Sequence, residues 1–237
     1  MEKLAPNAGT YFGRMYEVRY LTGIVAGAMT NSGKIGYIAA IPTSEVIRGI
    51  DAFARGVSAV NPEAKVYIRW VGDWYNPPEE RAATLSLIDS GCDVITHHTD
   101  SFAPAEVSEE RDVFFIGFGS DSRRIAPNVT LTGALWNWAP IMVDIAEEVH
   151  YGTWDEYPSQ DWWYGLEKDG VKLGPMSDRI PEEVKSLVEE RTTAIVEGQF
   201  EIFPGLCDKE LRGIDQFEPN VVAGGEGTEG KNNLSAH

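Results

Sequence analysis

Cysteine is almost absent from this chain: Cys92 and Cys207 are the only two among 237 residues. That excludes a disulfide framework and a cysteine-rich zinc site. Long hydrophobic runs are absent as well, since no window approaches the roughly 20 uninterrupted apolar residues that span a bilayer. The opening stretch MEKLAPNAGTYFGR holds no apolar core of a secretion signal. Positive charge is scarce: 20 Lys and Arg stand against 37 Asp and Glu, a formal net charge of −17. Such a surface repels a phosphate backbone, which excludes nucleic acid as a partner and leaves solubility, as in a salty habitat, as the plain reading of the excess.

Catalytic motifs are also lacking. The sequence has no G-x-S-x-G, no H-E-x-x-H and no P-loop. GFGSDS (117–122) imitates the start of a dinucleotide fingerprint but misses the third glycine. His97 and His98 are adjacent, so on a strand they point to opposite faces and cannot chelate together. One of them could donate a hydrogen bond to a ligand, or both could pack. No metal, no cofactor and no enzymatic activity is expected.

What the chain does have is rhythm. KIGYIAAI (34–41), KVYIRWVG (65–72), CDVITHH (92–98), DVFFIGFG (112–119) and NVTLTGALW (128–136) are short apolar runs of the kind that form strands covered on both faces. Between them lie helical stretches, the clearest carrying Val46, Ile50, Phe53, Val57 and Val60 on one stripe. Strands alternating with helices at this spacing predict an α/β fold, a parallel sheet flanked by helices with right-handed crossovers. Tyr11 to Met29 is expected as a helix, TWDEYPSQDWWYGLEKDG (153–170) as a loop, VKLGP as a short strand and Pro181 to Gly198 as a helix. The Gly-rich end, GGEGTEGKNNLSAH, reads as a disordered tail.

In open parallel sheets, ligands bind beyond the carboxyl ends of the strands. Those ends carry Pro42-Thr43-Ser44, Asp73-Trp74-Tyr75-Asn76, His97-His98-Thr99-Asp100, Gly119-Ser120-Asp121 and Trp136-Asn137-Trp138. Aromatics, hydroxyls, amides and carboxylates on one edge make an inventory for a flat, hydrogen-bonding small molecule. Trp136 and Trp138 point the same way on an extended backbone, with Asn137 opposite. At least one indole is expected at the binding mouth, and Asn137 is a candidate N-cap for the helix that follows.

The segments GTYFGRMYEVRYLTGIVAGAMT, KIGYIAAIPTSEVIRGIDAFARGV, NPEAKVYIRWVGDWYNPPEE, LIDSGCDVITHHTDS and VFFIGFGSDS resemble the basic membrane protein (BMP) family. These are the PnrA-like substrate-binding proteins of ABC transporters. The likeness runs from about Tyr11 to about Phe203. It implies a Rossmann-like lobe of the type I periplasmic-binding-protein fold, in a two-lobed receptor for purine nucleosides or bases. Such receptors are extracytoplasmic, usually lipid-anchored, and hand their ligand to an ABC permease. A complete member carries a first lobe before this point, so the chain reads as a natural truncation or a fragment.

On this resemblance residues 1–130 form the second ligand-binding lobe. Residues 131–205 cross back toward the first lobe, and 206–237 form an extension largely disordered from about 218. Trp74 falls where the family places a base-stacking aromatic, and Asp100 where a strand-end group lines the cleft. The nucleoside-binding branch has an aspartate in G-V-D-S-D and a lysine after L-T-S, both near the ribose. This chain has Gly119 or Ser120 and Trp136 there, while Asp121 matches the later aspartate. Loss of those groups implies a free nucleobase, adenine-like, rather than a nucleoside. The implied ligand residues are Trp74, Asp100, Ser120, Asp121, Trp136, Asn137 and Trp138. The alternative is a stand-alone sensor domain on the same fold. The helix after Pro140 normally packs on the first lobe, so self-association of this chain is expected.

Overall fold

The computed structural model describes residues 7–154, 161–206, 208–213 and 221–223. Five parallel strands follow the apolar runs: β2 (Lys34–Ala39), β3 (Lys65–Trp70), β4 (Val94–His98), β5 (Phe114–Gly119) and β6 (Thr130–Trp136). With β8 (Val171–Leu173) and β9 (Val221–Ala223) they form one sheet in the order β8-β6-β5-β4-β2-β3-β9. Only the β6–β8 pairing is antiparallel. The α/β class and the parallel sheet are as the sequence predicts.

Helices α1 (Met15–Met29) and α2 (Ser44–Val60) join the largest core cluster, with Leu21, Ile24, Ile50, Phe53 and Val57 buried beside Tyr37 and Val66. A second cluster is built on Leu87 of α3 (Pro77–Asp89) and Ala105 of α4 (Ala103–Arg111), against Ile38, Ile95 and Phe115. Each fully buried Leu, Ile or Phe side chain contributes about 1.5–3 kcal/mol relative to exposure. The helix starts are cut by side chains: the Thr43 hydroxyl accepts from the Val46 N–H, and Asn76 Oδ1 accepts from the Glu79 N–H with Pro77 following. Both caps sit just past a strand, so they also fix the strand-end loops.

Three stretches depart from expectation. Thr10–Gly13 is a strand, β1, not the start of a helix, and Asp161–Tyr164 is a strand, β7, inside the presumed loop. The two pair in parallel as a separate small sheet, from either side of the expected boundary at residue 130. A four-residue strand is too short to show a period of two. Its partner lies about 150 residues away, so neither was legible locally. The third departure is β9, which adds Val221–Ala223 beside β3 within the tail expected to be disordered. A β-branched Val-Val pair carries that local preference.

The two-stranded sheet carries α5 (Ala139–Tyr151). Ile141 packs with Trp162 and Tyr164, and the Tyr164 hydroxyl donates to Asp144 at 2.6 Å. The rest of α5 leaves Met142, Val143, Val149 and Tyr151 exposed, as are Tyr11 and Phe12 of β1.

α1 and α2 cross at two glycines. A Cβ on Gly56 would collide with the Tyr20 carbonyl oxygen, and one on Gly23 with the Phe53 carbonyl oxygen. Gly56→Ala is therefore expected to destabilise by about 1–3 kcal/mol through forced separation of the helices. The check is a lower urea midpoint at unchanged slope, and an unchanged midpoint would refute close backbone approach as the reason for glycine there.

Candidate functional site

Four aromatic side chains form a continuous line across the carboxyl ends of the strands. Trp74, just past β3, stands edge-on to His98 of β4 with ring centroids 6.2 Å apart. His98 lies 4.2 Å from Phe118 of β5, and Phe118 lies 6.0 Å from Trp136 at the end of β6. Trp136 then stacks on Trp138 at 4.6 Å and 17°. Phe12 of β1 meets both indoles edge-on, and Tyr11 meets Trp138. This approach needs a bare backbone at Gly13, where a Cβ would lie 2.8 Å from Trp136 Cζ3. The indoles point the same way, as alternation on an extended chain requires, and they face each other.

Polar groups interrupt this line in two places. The first is built around His98, fully buried, with Nε2 3.0 Å from Glu45 Oε1 and Nδ1 3.1 Å from the Tyr37 hydroxyl. Below it, Arg19 is completely buried. Its guanidinium donates to Thr96 Oγ1 and to the His97 carbonyl and lies over the Phe118 ring at 4.3 Å. Burial drives the His98 pKa down against the pull of Glu45. Burial alone would raise the Glu45 carboxyl, but His98, Arg19 and Arg48 outweigh it and hold it below the usual carboxylate range. The pair at rest is therefore a neutral imidazole beside an ionised carboxylate.

The second polar group is Glu80, buried at the start of α3. It accepts from the Asn76 N–H at 3.0 Å, the Thr99 hydroxyl at 2.6 Å and the Ser101 hydroxyl at 2.7 Å. These bonds tie the loop after β4 to the loop after β3, where the Asp100 N–H donates to the Trp74 carbonyl at 2.8 Å. Asp100 itself is exposed, and partial burial together with the Glu80 and Glu45 charges raises its carboxyl above the usual range.

The residues named from sequence divide into two groups. Trp74, Asp100, Trp136 and Trp138 lie along the strand ends in the arrangement above. Ser120 follows β5 and is exposed. Asp121 is closed on Arg123 through an ion pair at 2.6 Å, which depresses its carboxyl, and it caps a short 3-10 turn. Asn137 turns away and donates to the Asp169 carbonyl at 2.6 Å, while its N–H binds the Gly170 carbonyl. It is not the N-cap of α5. That place falls to Trp138, with no side-chain cap, because the Asn137 amide is already held by the turn before β8. Glu45, Phe118, Tyr37 and Arg19 are not among the residues the sequence points to, and for His97 and His98 it leaves open whether one donates a hydrogen bond or both pack. Glu45 follows Pro42-Thr43-Ser44 directly, so its place was readable, but its partner 53 residues away was not. Among the described residues no His, Cys, Asp and Glu cluster has the geometry to hold a metal ion.

Comparison with known proteins places this geometry in context. The family model Bmp, described as ABC transporter substrate-binding protein PnrA-like, matches residues 2–204. A purine-binding protein of Brucella abortus is 38% identical over 208 residues, 88% of this chain and 58% of that protein. A Haloferax volcanii protein named as an ABC-transporter glucose-binding protein is 35% identical over 199 residues, 84% of this chain and 50% of that one. The chain thus spans about half the length of these relatives. Among solved structures, a solute-binding protein of an Aeropyrum pernix ABC transporter matches with TM-score 0.75 at 15% identity, covering 90% of this chain and 71% of its own. One from Conexibacter woesei matches with TM-score 0.67 at 22% identity, covering 84% and 66%. These two show a shared fold.

His97, packed against Phe115 and Phe118, provides a pH test. Burial, then Arg19 and His98, lower its pKa from 6.5 to about 3. The folded state keeps it neutral while the unfolded state takes a proton below about 6.5. Its contribution to stability is present above that pH and is lost as pH falls toward 3. His97→Gln should therefore show a shallower fall in Tm between pH 6.5 and pH 4 than the wild type. Parallel curves would mean that His97 does not stay neutral in the fold.

Proposed function

This chain belongs to the PnrA-like (Bmp) family of ABC-transporter substrate-binding proteins, and we propose that it binds a purine nucleobase, adenine-like, at the aromatic strand-end surface. The observation that carries this reading is the unbroken line Trp74–His98–Phe118–Trp136, with the Glu45 and Asp100 carboxylates beside it. Flat π faces suit stacking, and carboxylates suit the N–H groups of a base. The name of the Brucella relative supports the ligand class. Where the nucleoside-binding branch has a lysine near the ribose, Trp136 fills the space and is itself held by Trp138.

Binding is proposed to work as in a two-lobed receptor. An aromatic contact is worth about 0.5–1.5 kcal/mol beyond its buried area, and association costs several times that in lost freedom. Tight capture then needs the cleft closed from its other side, and delivery to an ABC permease follows from the family. The receptor is extracytoplasmic on this reading. Among the described residues no helix is long and apolar enough to cross a membrane.

Calorimetric titration with adenine, adenosine, guanosine and glucose tests the ligand. Saturable heat is expected with adenine, reduced tenfold or more in affinity by Trp136→Ala, which removes a stacking face. A preference for nucleosides would refute the free-base assignment. Heat with glucose alone would move the chain toward the Haloferax relative, since an aromatic face and a carboxylate also suit a sugar.

The exposed row Met142, Val143, Val149 and Tyr151 on α5, beside Tyr11 and Phe12, is proposed to drive self-association of this chain. Sedimentation at tens of micromolar should show dimers or larger species that Val143→Glu with Val149→Glu disperses. A monomeric wild-type chain at that concentration would overturn the idea.

A further inference from the structure

The His98–Glu45 pair is asymmetric, and the asymmetry has a direction. An ionised carboxylate only accepts hydrogen bonds, so the proton between Glu45 Oε1 and His98 Nε2 belongs to the imidazole. Nδ1 is then the acceptor, and the Tyr37 hydroxyl donates to it. Tyr37 is fully buried, and burial pushes its phenol well above its usual range, so that donor does not ionise. The relay runs one way: Tyr37 O–H to His98 Nδ1, then His98 Nε2–H to Glu45 Oε1. It anchors the carboxylate by one oxygen. Among the described residues no hydrogen bond reaches the other oxygen, Oε2, and the Glu45 side chain keeps 19% of its surface open; its partner His98 is the ring between Trp74 and Phe118.

The cations around this oxygen are committed elsewhere. Arg19 donates downward to Thr96 and to the His97 carbonyl, and Arg48 donates to the Leu211 carbonyl. The strand ends here therefore present the part-exposed Trp74 ring and carboxylate acceptors, above the buried His98 and Phe118 rings, with these two guanidiniums occupied.

Resting on the purine reading above, we infer that Glu45 Oε2 is the specificity-determining acceptor of the site. It takes an N–H of a neutral, amino-bearing heteroaromatic base, so the site selects an amino edge over an oxo edge and refuses phosphorylated ligands. An oxo group would place lone pairs against the carboxylate. A phosphate would meet the Glu45 and Asp100 carboxylates, while Arg19 and Arg48 are already bonded to Thr96 and to backbone carbonyls. A hydrogen bond to a charged group sets the expected preference for adenine over hypoxanthine at roughly 10- to 100-fold.

The test is ligand-detected NMR on the whole chain at millimolar adenine, hypoxanthine and adenosine monophosphate, with Glu45→Gln beside the wild type. Circular dichroism confirms that the variant is folded. In the variant the amide oxygen keeps the His98 N–H and the amide NH2 replaces Oε2, so a donor stands where an acceptor stood. Adenine should bind the wild type best, and the preference should shift toward hypoxanthine in Glu45→Gln. A purely structural role would weaken both bases by the same factor, and that result overturns the inference while the purine reading stands. Equal binding of adenine and hypoxanthine to the wild type, or binding of the monophosphate as tight as that of adenine, overturns it without any variant. No contact with any purine sinks the purine reading and this inference together.

Discussion

The strand-end surface depends on a buried guanidinium that, among the described residues, has no carboxylate in contact. Arg19 reaches from α1 to the sheet edge, completely buried, held by Thr96, the His97 carbonyl and the faces of Phe118 and Tyr37. Burying a charge without a paired ion is costly, and such a charge persists only where hydrogen bonds and its wider field return something. Here the field reaches several titratable groups. It favours the ionised form of Glu45 and opposes protonation of His97 and His98. One cation below the surface thus sets the protonation of the groups above it. It also ties α1 to β4, so the fold and the electrostatics of the site share the same contacts.

A second consequence concerns order. The loops that carry Trp74 and Asp100 leave the sheet from β3 and β4, which β2 separates. Loops so placed would drift apart were they not linked. Glu80 links them, using an acceptor-only carboxylate to collect two hydroxyls and one N–H from both loops. The Asp100-to-Trp74 backbone bond completes the tie. Stacking and acceptor groups are thus held on a rigid frame. A weakly stabilising contact with a flat ligand needs this, because little binding energy is left to order the loops.

Much of this was legible in the sequence, and the limits follow from distance along the chain. The five core strands declared themselves because parallel strands covered on both faces are short, continuous apolar runs, whereas the caps at Thr43 and Asn76 emerge only with the structure. Trp74, Asp100 and Trp136 stand just beyond strands that the sequence marks. β1 and β7 were not, since each owes its extended form to a partner some 150 residues away. Asn137 was misread as a cap because its competing partners, Asp169 and Gly170, belong to a later turn. The Glu45–His98–Tyr37 relay joins three elements, and no local pattern encodes such a meeting.

The paired indoles show how these levels connect. Trp136 ends β6 of the main sheet, and Trp138 caps α5, which packs on the small sheet. Their stacking, with Phe12 across both rings, is a joint between the two sheets made of flat surfaces. Flat aromatic contacts tolerate sliding better than interdigitated aliphatic ones, because an offset stack changes little in energy over small displacements. Gly13 lets the strand approach that joint, and Arg14 secures it by donating to the Trp163 carbonyl at 2.9 Å and to Glu17 at 2.6 Å. The aromatic line along the strand ends and the aromatic joint that faces the second sheet are therefore one set of rings. Trp136 is thus shared by the two sheets, packed against Phe12 of the small one while it closes the strand-end line of the large one.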